Sequence, residues 1–323
     1  MSKLHTGSIR PENTFDVSYA GVLRQLLENG FLIGSGRTAD SFTMLPAMQV
    51  RHDMRAGFPL TTLRKLGTKF MKVELLGFLR GITDKSWYQK HGCRIWDEWC
   101  NPTKVAYSKD DPEIQAKMAA EMDLGPIYGK QLRDFRDYRI NKGTNPHEAP
   151  ELQHTGVDQL TDVLFELKKS PFSRRLVVSY WNPTALQQMA LPTCHFAWQL
   201  MVTGKAPDGR YILSLEWRQR STDIILGTPT NMVHYALLLW LICELPGYRE
   251  MFTPGQVIGD LGHTHIYSKH IEEGAEELLV RKPFAHPTIR SVIPIENMVD
   301  WDPALIMLDD YQAHPKKDFT IAI

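Results

Sequence analysis

The sequence predicts an α+β fold that mixes antiparallel hairpins with long helices. Three observations carry this reading. The first half contains two segments with helical apolar spacing. A block of β-branched and aromatic runs follows, two of them joined by a Gly- and Pro-containing loop. A long, almost wholly apolar helix comes after the strands. No break in composition separates two units, so residues 1–323 read as one domain with surface insertions near 101–122 and 136–153.

In chain order, residues 1–14 read as a loose arm. Phe15–Asn29 places Tyr19, Val22, Leu23, Leu26 and Leu27 on one side of a helix that stops at Gly30. Thr68–Gly81 carries a second helix through Phe70, Val73, Leu76, Phe78 and Leu79. Asn101–Leu124 is polar, has two prolines and reads as a surface insertion; Arg136–Gln153 is another polar excursion. Asp158–Lys169 is a helix. Leu176–Trp181, Phe196–Thr203 and Tyr211–Arg218 are strands, with Gly204–Gly209 as the hairpin loop between the last two. Asn231–Leu245 is a long buried helix.

The composition excludes several classes. Hydrophobic residues make up 43% and charged residues 23%, which rules out a disordered tail, a collagen-like chain and a coiled coil. Lys+Arg and Asp+Glu are both 37, a balance that argues against a nucleic-acid-coating protein. The longest apolar run, Tyr235–Leu245, is about half of what a membrane span needs. The N-terminal MSKLHTGSIRPENTF has no apolar core of a secretory signal. Cys93, Cys100, Cys194 and Cys243 form no CxxC pair, so neither a zinc site nor a disulfide framework is expected, and the compartment reads as reducing.

Several clusters could carry chemistry. Leu191-Pro-Thr-Cys194-His195 holds a cysteine in a turn before a strand, where a nearby cation would activate the thiolate. Arg174-Arg175, Arg218 and Arg220 are candidate cations, although such a pair is also an ordinary solvated strand end. Arg218-Gln219-Arg220-Ser221-Thr-Asp223 runs into Leu226-Gly227-Thr-Pro-Thr230-Asn231 at a strand-to-helix turn. That turn suits a phosphate or a base edge, or else a plain N-cap by Thr230 or Asn231. His263, His265 and His270 lack the companions of a zinc motif and fit sugar hydrogen bonding or a structural role better. Trp96 and Trp99 form either a flat wall for a ring ligand or ordinary core. Glu74, a carboxylate in an apolar helix, either faces solvent or is buried with a raised pKa.

Taken in order, these clusters resemble the thymidylate synthase family, which also includes the deoxypyrimidine hydroxymethylases. The resemblance runs from about Phe15 to Ile323. Its most specific pieces are Pro192-Thr-Cys194-His195, Gln219-Arg220-Ser221-Thr-Asp223, Leu226-Gly227-x-Pro229-x-Asn231, Thr264-His265-Ile-Tyr267, Ser173-Arg174-Arg175 and Asp123-Leu-Gly-Pro-Ile-Tyr128-Gly-Lys. It implies a mixed sheet packed against long helices, with the sheet forming a dimer interface. It implies dUMP and 5,10-methylenetetrahydrofolate as ligands, no metal, no nucleic acid, no membrane and a cytoplasmic setting. Cys194 matches the nucleophile that adds to carbon 6 of the pyrimidine, turning carbon 5 into an enolate-like nucleophile. Glu74, Tyr128 and Asp223 match the other catalytic positions. Arg37, Arg220 and, from the partner subunit, Arg174 and Arg175 match phosphate ligands. His195, Gln219, Ser221, Asn231, His265 and Tyr267 match substrate-binding positions; Asn231, rather than Asp, points to dUMP over dCMP. Trp96, Trp99, Leu191, Asp223, Leu226, Gly227, Thr230 and Ala322 match the folate site, with Ala322-Ile323 resembling a terminal segment that folds over the ligands.

The chain departs from the family pattern at Gly77, Leu132 and Thr230, where aromatics are usual, and at Arg218 and His263. Thr230 for a folate-facing Phe removes apolar area and adds a hydroxyl. Hydride transfer to the methylene intermediate needs a dry, stacked pocket, whereas water gives a hydroxymethyl product. The expected activity is therefore dUMP 5-hydroxymethylation. Thymidylate synthesis is the alternative, and a non-catalytic binding member of the family is a third reading.

Overall fold

The computed structural model describes residues 14–34, 40–141 and 151–321. Arg37, Ala322 and nearly all of the N-terminal arm lie outside the described residues.

The first helix, α1 (Phe15–Asn29), has the predicted bounds. Phe15, Tyr19, Val22, Leu23 and Leu26 are buried against β2 (Phe42–Asp53), which follows the short β1 (Phe31–Ile33). The Phe15 N–H donates to His52 Nδ1 at 3.0 Å and pins the start of α1 to β2. The second predicted helix is α2 (Lys69–Leu79), buried on most of its surface, followed by α3 (Lys85–Lys90).

The insertion at 101–122 is more structured than its polarity suggests. It contains α4 (Pro112–Ala120), capped by Asp111, and buries Met118. The fully buried Lys85 ties it down: its Nζ donates to the carbonyls of Asp97, Trp99 and Met118 at 3.3, 3.2 and 2.9 Å. Next come α5 (Tyr128–Arg133) and a hairpin of β3 (Phe135–Asn141) and β4 (Glu151–Val157). The second polar excursion is therefore framed by two strands rather than being loop alone.

Beyond α6 (Gln159–Lys169), β5 (Val177–Ser179), β6 (His195–Lys205) and β7 (Tyr211–Asp223) occupy the predicted strand block, and β7 runs five residues past the predicted end. β6 and β7 pair antiparallel through the expected hairpin, whose Gly209 has φ +91°. The long helix α7 (Gly227–Glu244) begins four residues before its predicted start. Its N-cap is Leu226, so Thr230 and Asn231 lie inside the helix and the simple N-cap reading fails.

α7 crosses over to β8 (Phe252–Tyr267), which pairs parallel with β7; a parallel pair needs a crossover of this length. The six-stranded sheet has the order β1-β2-β8-β7-β6-β5 and is antiparallel except at β7–β8. Short elements, α8 (Ser268–Glu272), α9 (Glu277–Val280) and the hairpin β9 (Thr288–Ser291) and β10 (Ile306–Asp309), complete the described chain.

The core lies between the sheet and α1, α2 and α7. α7 is buried all round, and its Tyr235 ring stacks on Trp217 of β7 at 5.0 Å. Gly259 of β8 leaves room for the same Trp217: a Cβ there would stand 2.2 Å from the indole. No helix among the described residues is long and apolar enough to cross a membrane.

Candidate active site

The cysteine turn and Arg220 meet at the sheet end where β6 begins. Arg220 reaches it because β7 continues past the bulge at His195–Ala197. Gly262 of β8 lets the strands draw close there, since a Cβ would sit 3.1 Å from the Gln219 carbonyl oxygen and 3.2 Å from that of Arg220. The Arg220 N–H donates to the Cys194 carbonyl at 2.8 Å. Its Nε and Nη2 donate to the Thr193 and Pro192 carbonyls at 2.9 and 2.7 Å, and Nη2 stands 3.7 Å from Cys194 Sγ. The guanidinium thus braces the turn and sets a permanent positive charge beside the thiol. From the other side, the Cys194 N–H donates to Tyr128 Oη at 2.8 Å. Tyr128 stacks on His195 at 4.2 Å, and His195 Nδ1 lies 2.7 Å from Tyr235 Oη. Burial pushes the His195 imidazole down to about 3, so it is neutral at physiological pH.

A second group reads hydrogen-bond polarity. Asn231 Nδ2 donates to Gln219 Oε1 at 2.9 Å, Trp217 Nε1 donates to the same oxygen at 3.1 Å, and Gln219 Nε2 donates to the Ser221 carbonyl at 2.9 Å. This chain fixes which end of the Asn231 amide is which. One N–H and the carbonyl oxygen of Asn231 are left over.

A third group surrounds Glu74, which projects from α2 into the core and is 5% exposed. Burial raises its carboxyl to about 8, with the Trp96 indole acting the other way. The Nε2 atom of His234, on α7, lies 3.3 Å from Glu74 Oε2, and burial lowers this imidazole to about 4. Phe78, one turn after Glu74, stacks on Tyr128 at 4.8 Å and meets His234 edge-on at 6.2 Å. Glu74 is therefore linked through aromatic contacts to the cysteine turn. Gly77 does not open this wall. A Cβ there would stand 2.3 Å from Tyr88 Cε1, so the Tyr88 ring fills the space left by the missing side chain. The space that the family's usual aromatic would take at Gly77 is filled by an aromatic from α3 instead.

The remaining positions lie around the start of α7. Asp223 is half-buried; desolvation raises its carboxyl, opposed by His270, whose Nδ1 is 3.6 Å away. His270 Nε2 contacts the Thr320 carbonyl at 2.8 Å, and Lys269 Nζ donates to that of Ile321 at 2.9 Å, so the described C-terminal residues run close to Asp223. Leu226 and Gly227 open α7. The Thr230 hydroxyl donates to the Leu226 carbonyl at 3.0 Å, so it is turned back onto its own helix. His265, lowered to about 4 by burial, sits between Phe42 and Tyr267 at 5.5 and 5.0 Å. Trp99 and Leu191 line an apolar cavity of about 380 Å³ together with Tyr107 of the insertion, which stacks on Trp99 at 5.5 Å. Trp96 is core instead, 3% exposed and edge-on to Phe78 and Tyr128. Arg174 and Arg175 are exposed just before β5. Among the described residues, no cluster of three or more His, Cys, Asp or Glu could hold a metal.

The thymidylate synthase family model matches residues 17–323. A thymidylate synthase from Malacoplasma penetrans (strain HF-2) is 32% identical over 316 residues, covering 94% of this chain and 99% of that protein. The chain belongs to the thymidylate synthase family. Members of the thymidylate synthase family are enzymes that use methylenetetrahydrofolate to modify carbon 5 of a pyrimidine nucleotide, here dUMP, and they are typically dimeric. Features that suit such a cosubstrate are present: the cavity at Trp99 and Leu191 is apolar, and Asp223, elsewhere on the chain, offers a half-buried carboxyl. Two residues in this thymidylate synthase fold escape a reading of the sequence. His234 lies in an apolar helical run that reads as core, and Tyr88 is sequence-distant from the glycine it covers.

Proposed function

We propose that this chain is a dUMP 5-hydroxymethylase, acting as a homodimer. The observation that carries the hydroxymethyl assignment is Thr230. Beside Asn231, where the family usually has an aromatic facing the folate, stands a half-buried threonine whose hydroxyl is bonded to Leu226. The wall there is smaller by a ring, leaving room for water at the methylene carbon.

The chemistry begins at Cys194. Its thiolate, beside Arg220, adds to carbon 6 of the uracil, and carbon 5 then takes the one-carbon unit. Arg220 and Arg37, with Arg174 and Arg175 of the partner subunit, hold the phosphate; the exposure of Arg174 and Arg175 supports their reaching across. On the sheet face opposite α7, Gln49 and Arg218 are exposed and Arg51 and Asp260 half-buried, which supports that face as the subunit contact. The free N–H and carbonyl of Asn231 match O4 and N3–H of uracil and mismatch cytosine, whose N4 donates and N3 accepts. His265 and Tyr267 hold the sugar, His195 and Tyr128 keep the turn in place, and Asp223, Leu226, Gly227 and Ala322 surround the folate. Residues 1–323 act as one catalytic domain, and the free cysteines fit a reducing cytoplasm.

Thymidylate synthesis is the second reading. It is favoured by the name of the Malacoplasma relative and by Tyr88, which keeps the wall closed at Gly77. The test is to incubate the protein with dUMP and methylenetetrahydrofolate, weigh the nucleotide product and follow dihydrofolate absorbance. Hydroxymethyl-dUMP without dihydrofolate supports the proposal; equal amounts of dTMP and dihydrofolate overturn it.

A further inference from the structure

The family pattern matches Trp99 and Leu191 to the folate but assigns nothing to the 101–122 insertion. In the structure the insertion supplies part of the same cavity. Val105, Tyr107 and Met118 line it together with Trp99, Leu191 and Pro192, and its volume of about 380 Å³ falls within the range of small-ligand sites. Pro192 is two residues before Cys194, and its carbonyl accepts from Arg220 Nη2 at 2.7 Å, so the cavity wall runs directly into the nucleophile's turn.

The insertion is fixed in this place by several bonds. At its base, the Asn101 N–H donates to the Asp123 carbonyl at 2.8 Å, and Lys104 pairs with the Asp123 carboxylate at 3.0 Å. The buried Lys85 Nζ donates to both the Trp99 and the Met118 carbonyls, at 3.2 and 2.9 Å. One ammonium thus ties together two stretches that line the cavity, one before the insertion and one inside it. The Ser108 N–H meets Met118 Sδ at 3.5 Å, which holds the neighbouring Tyr107 against that wall. Tyr107 is 41% exposed and lies nearly parallel to the Trp99 ring, at 10° and 5.5 Å. A flat aryl group in the cavity therefore meets aromatic surface from Trp99 and Tyr107 and aliphatic surface from Val105, Met118 and Leu191.

We propose that the insertion is part of the folate site and that Tyr107 is a specificity-determining residue touching the aminobenzoyl ring of methylenetetrahydrofolate. This rests on the assignment of Trp99 and Leu191 to the folate site, and not on which product forms. The ring, not the glutamate tail, is the part assigned. A second cavity of about 430 Å³ shares Tyr107 and Met118, but its wall carries Asp97 and Glu98 beside Lys109, a poor match for an anionic tail.

The test uses Tyr107→Ala and Tyr107→Phe in the full-length dimer, with total nucleotide product counted whichever form it takes. The KM values for methylenetetrahydrofolate and dUMP are measured separately. Inhibition by tetrahydrofolate is compared with inhibition by 6-methyltetrahydropterin, which lacks the aminobenzoyl ring. Loss of one aromatic contact should raise the KM for methylenetetrahydrofolate and weaken tetrahydrofolate about three- to tenfold in Tyr107→Ala. The KM for dUMP and inhibition by the pterin should stay at wild-type values, and Tyr107→Phe should behave as wild type. An equal rise in both KM values, or equal weakening of both inhibitors, means that Tyr107 only supports the fold and overturns the proposal. Unchanged folate parameters overturn it as well. Leu191→Ala then separates the two failures: a selective folate defect there rejects Tyr107 alone, and none rejects the cavity as the folate site.

Discussion

Glu74→Gln should stabilise the folded protein while abolishing turnover, and the stabilisation should grow with pH. Folded Glu74 keeps its proton up to about 8, whereas an unfolded chain releases it above the ordinary value of 4.5. Between those values the folded state binds more protons, so stability falls as pH rises. Linkage puts the penalty at under about 1 kcal/mol at pH 5 and about 4 kcal/mol at pH 7.5, as orders of magnitude. Glutamine is nearly isosteric and neutral, so it removes the pH-dependent part. Urea unfolding of wild type and variant at fixed protein concentration, at pH 5 and 7.5, reads the difference directly. A gain for Glu74→Gln no larger at pH 7.5 than at pH 5 would refute the claim that Glu74 is buried and protonated.

Three further perturbations follow from the geometry. Asn231→Asp should move the turnover ratio from dUMP toward dCMP, because a carboxyl can accept from cytosine N4; competition assays with both nucleotides check it, and an unchanged ratio denies Asn231 a base-reading role. Gly77→Ala should cost about 1–3 kcal/mol through overpacking on Tyr88, and Tyr88→Leu in the same chain should recover most of it. Thermal unfolding of the single and double variants tests this coupling, and additive losses would count against it. Cys194→Ser should abolish turnover with nucleotide binding retained. Mixed with an Arg174→Ala/Arg175→Ala chain it should regain activity in hybrid dimers, and an active monomer in sedimentation would contradict that.

Much of this architecture is legible in the sequence where one face is apolar. Phe15–Asn29 has helical spacing and a terminal glycine, and the helix has those bounds. The β6–β7 hairpin is marked by branched residues around a Gly/Pro loop. β8 escapes detection because Pro254, Gly255, Gly259 and Gly262 read as breakers. In the structure, Gly259 makes room for Trp217, and Gly262 admits the Gln219–Arg220 backbone. β2 is missed because Pro46 and Ala47, the latter at φ +55°, interrupt its pattern. At the site, the Cys194, Arg220, Gln219 and Asn231 positions are readable because their motifs are local. The Glu74–His234 contact and the Tyr88 fill at Gly77 are pairings between elements, and no local pattern encodes them. The 101–122 insertion is largely exposed, but its anchor is not legible locally, since Lys85 lies outside the segment whose Met118 carbonyl it binds.

The central claim is that water, not hydride, ends the reaction at the methylene carbon. Running wild-type turnover of dUMP in oxygen-18 water tests it most directly. The account predicts a nucleotide product that carries the heavy oxygen in its new hydroxymethyl group, with tetrahydrofolate released. A product that takes up no solvent oxygen and appears with dihydrofolate would contradict it.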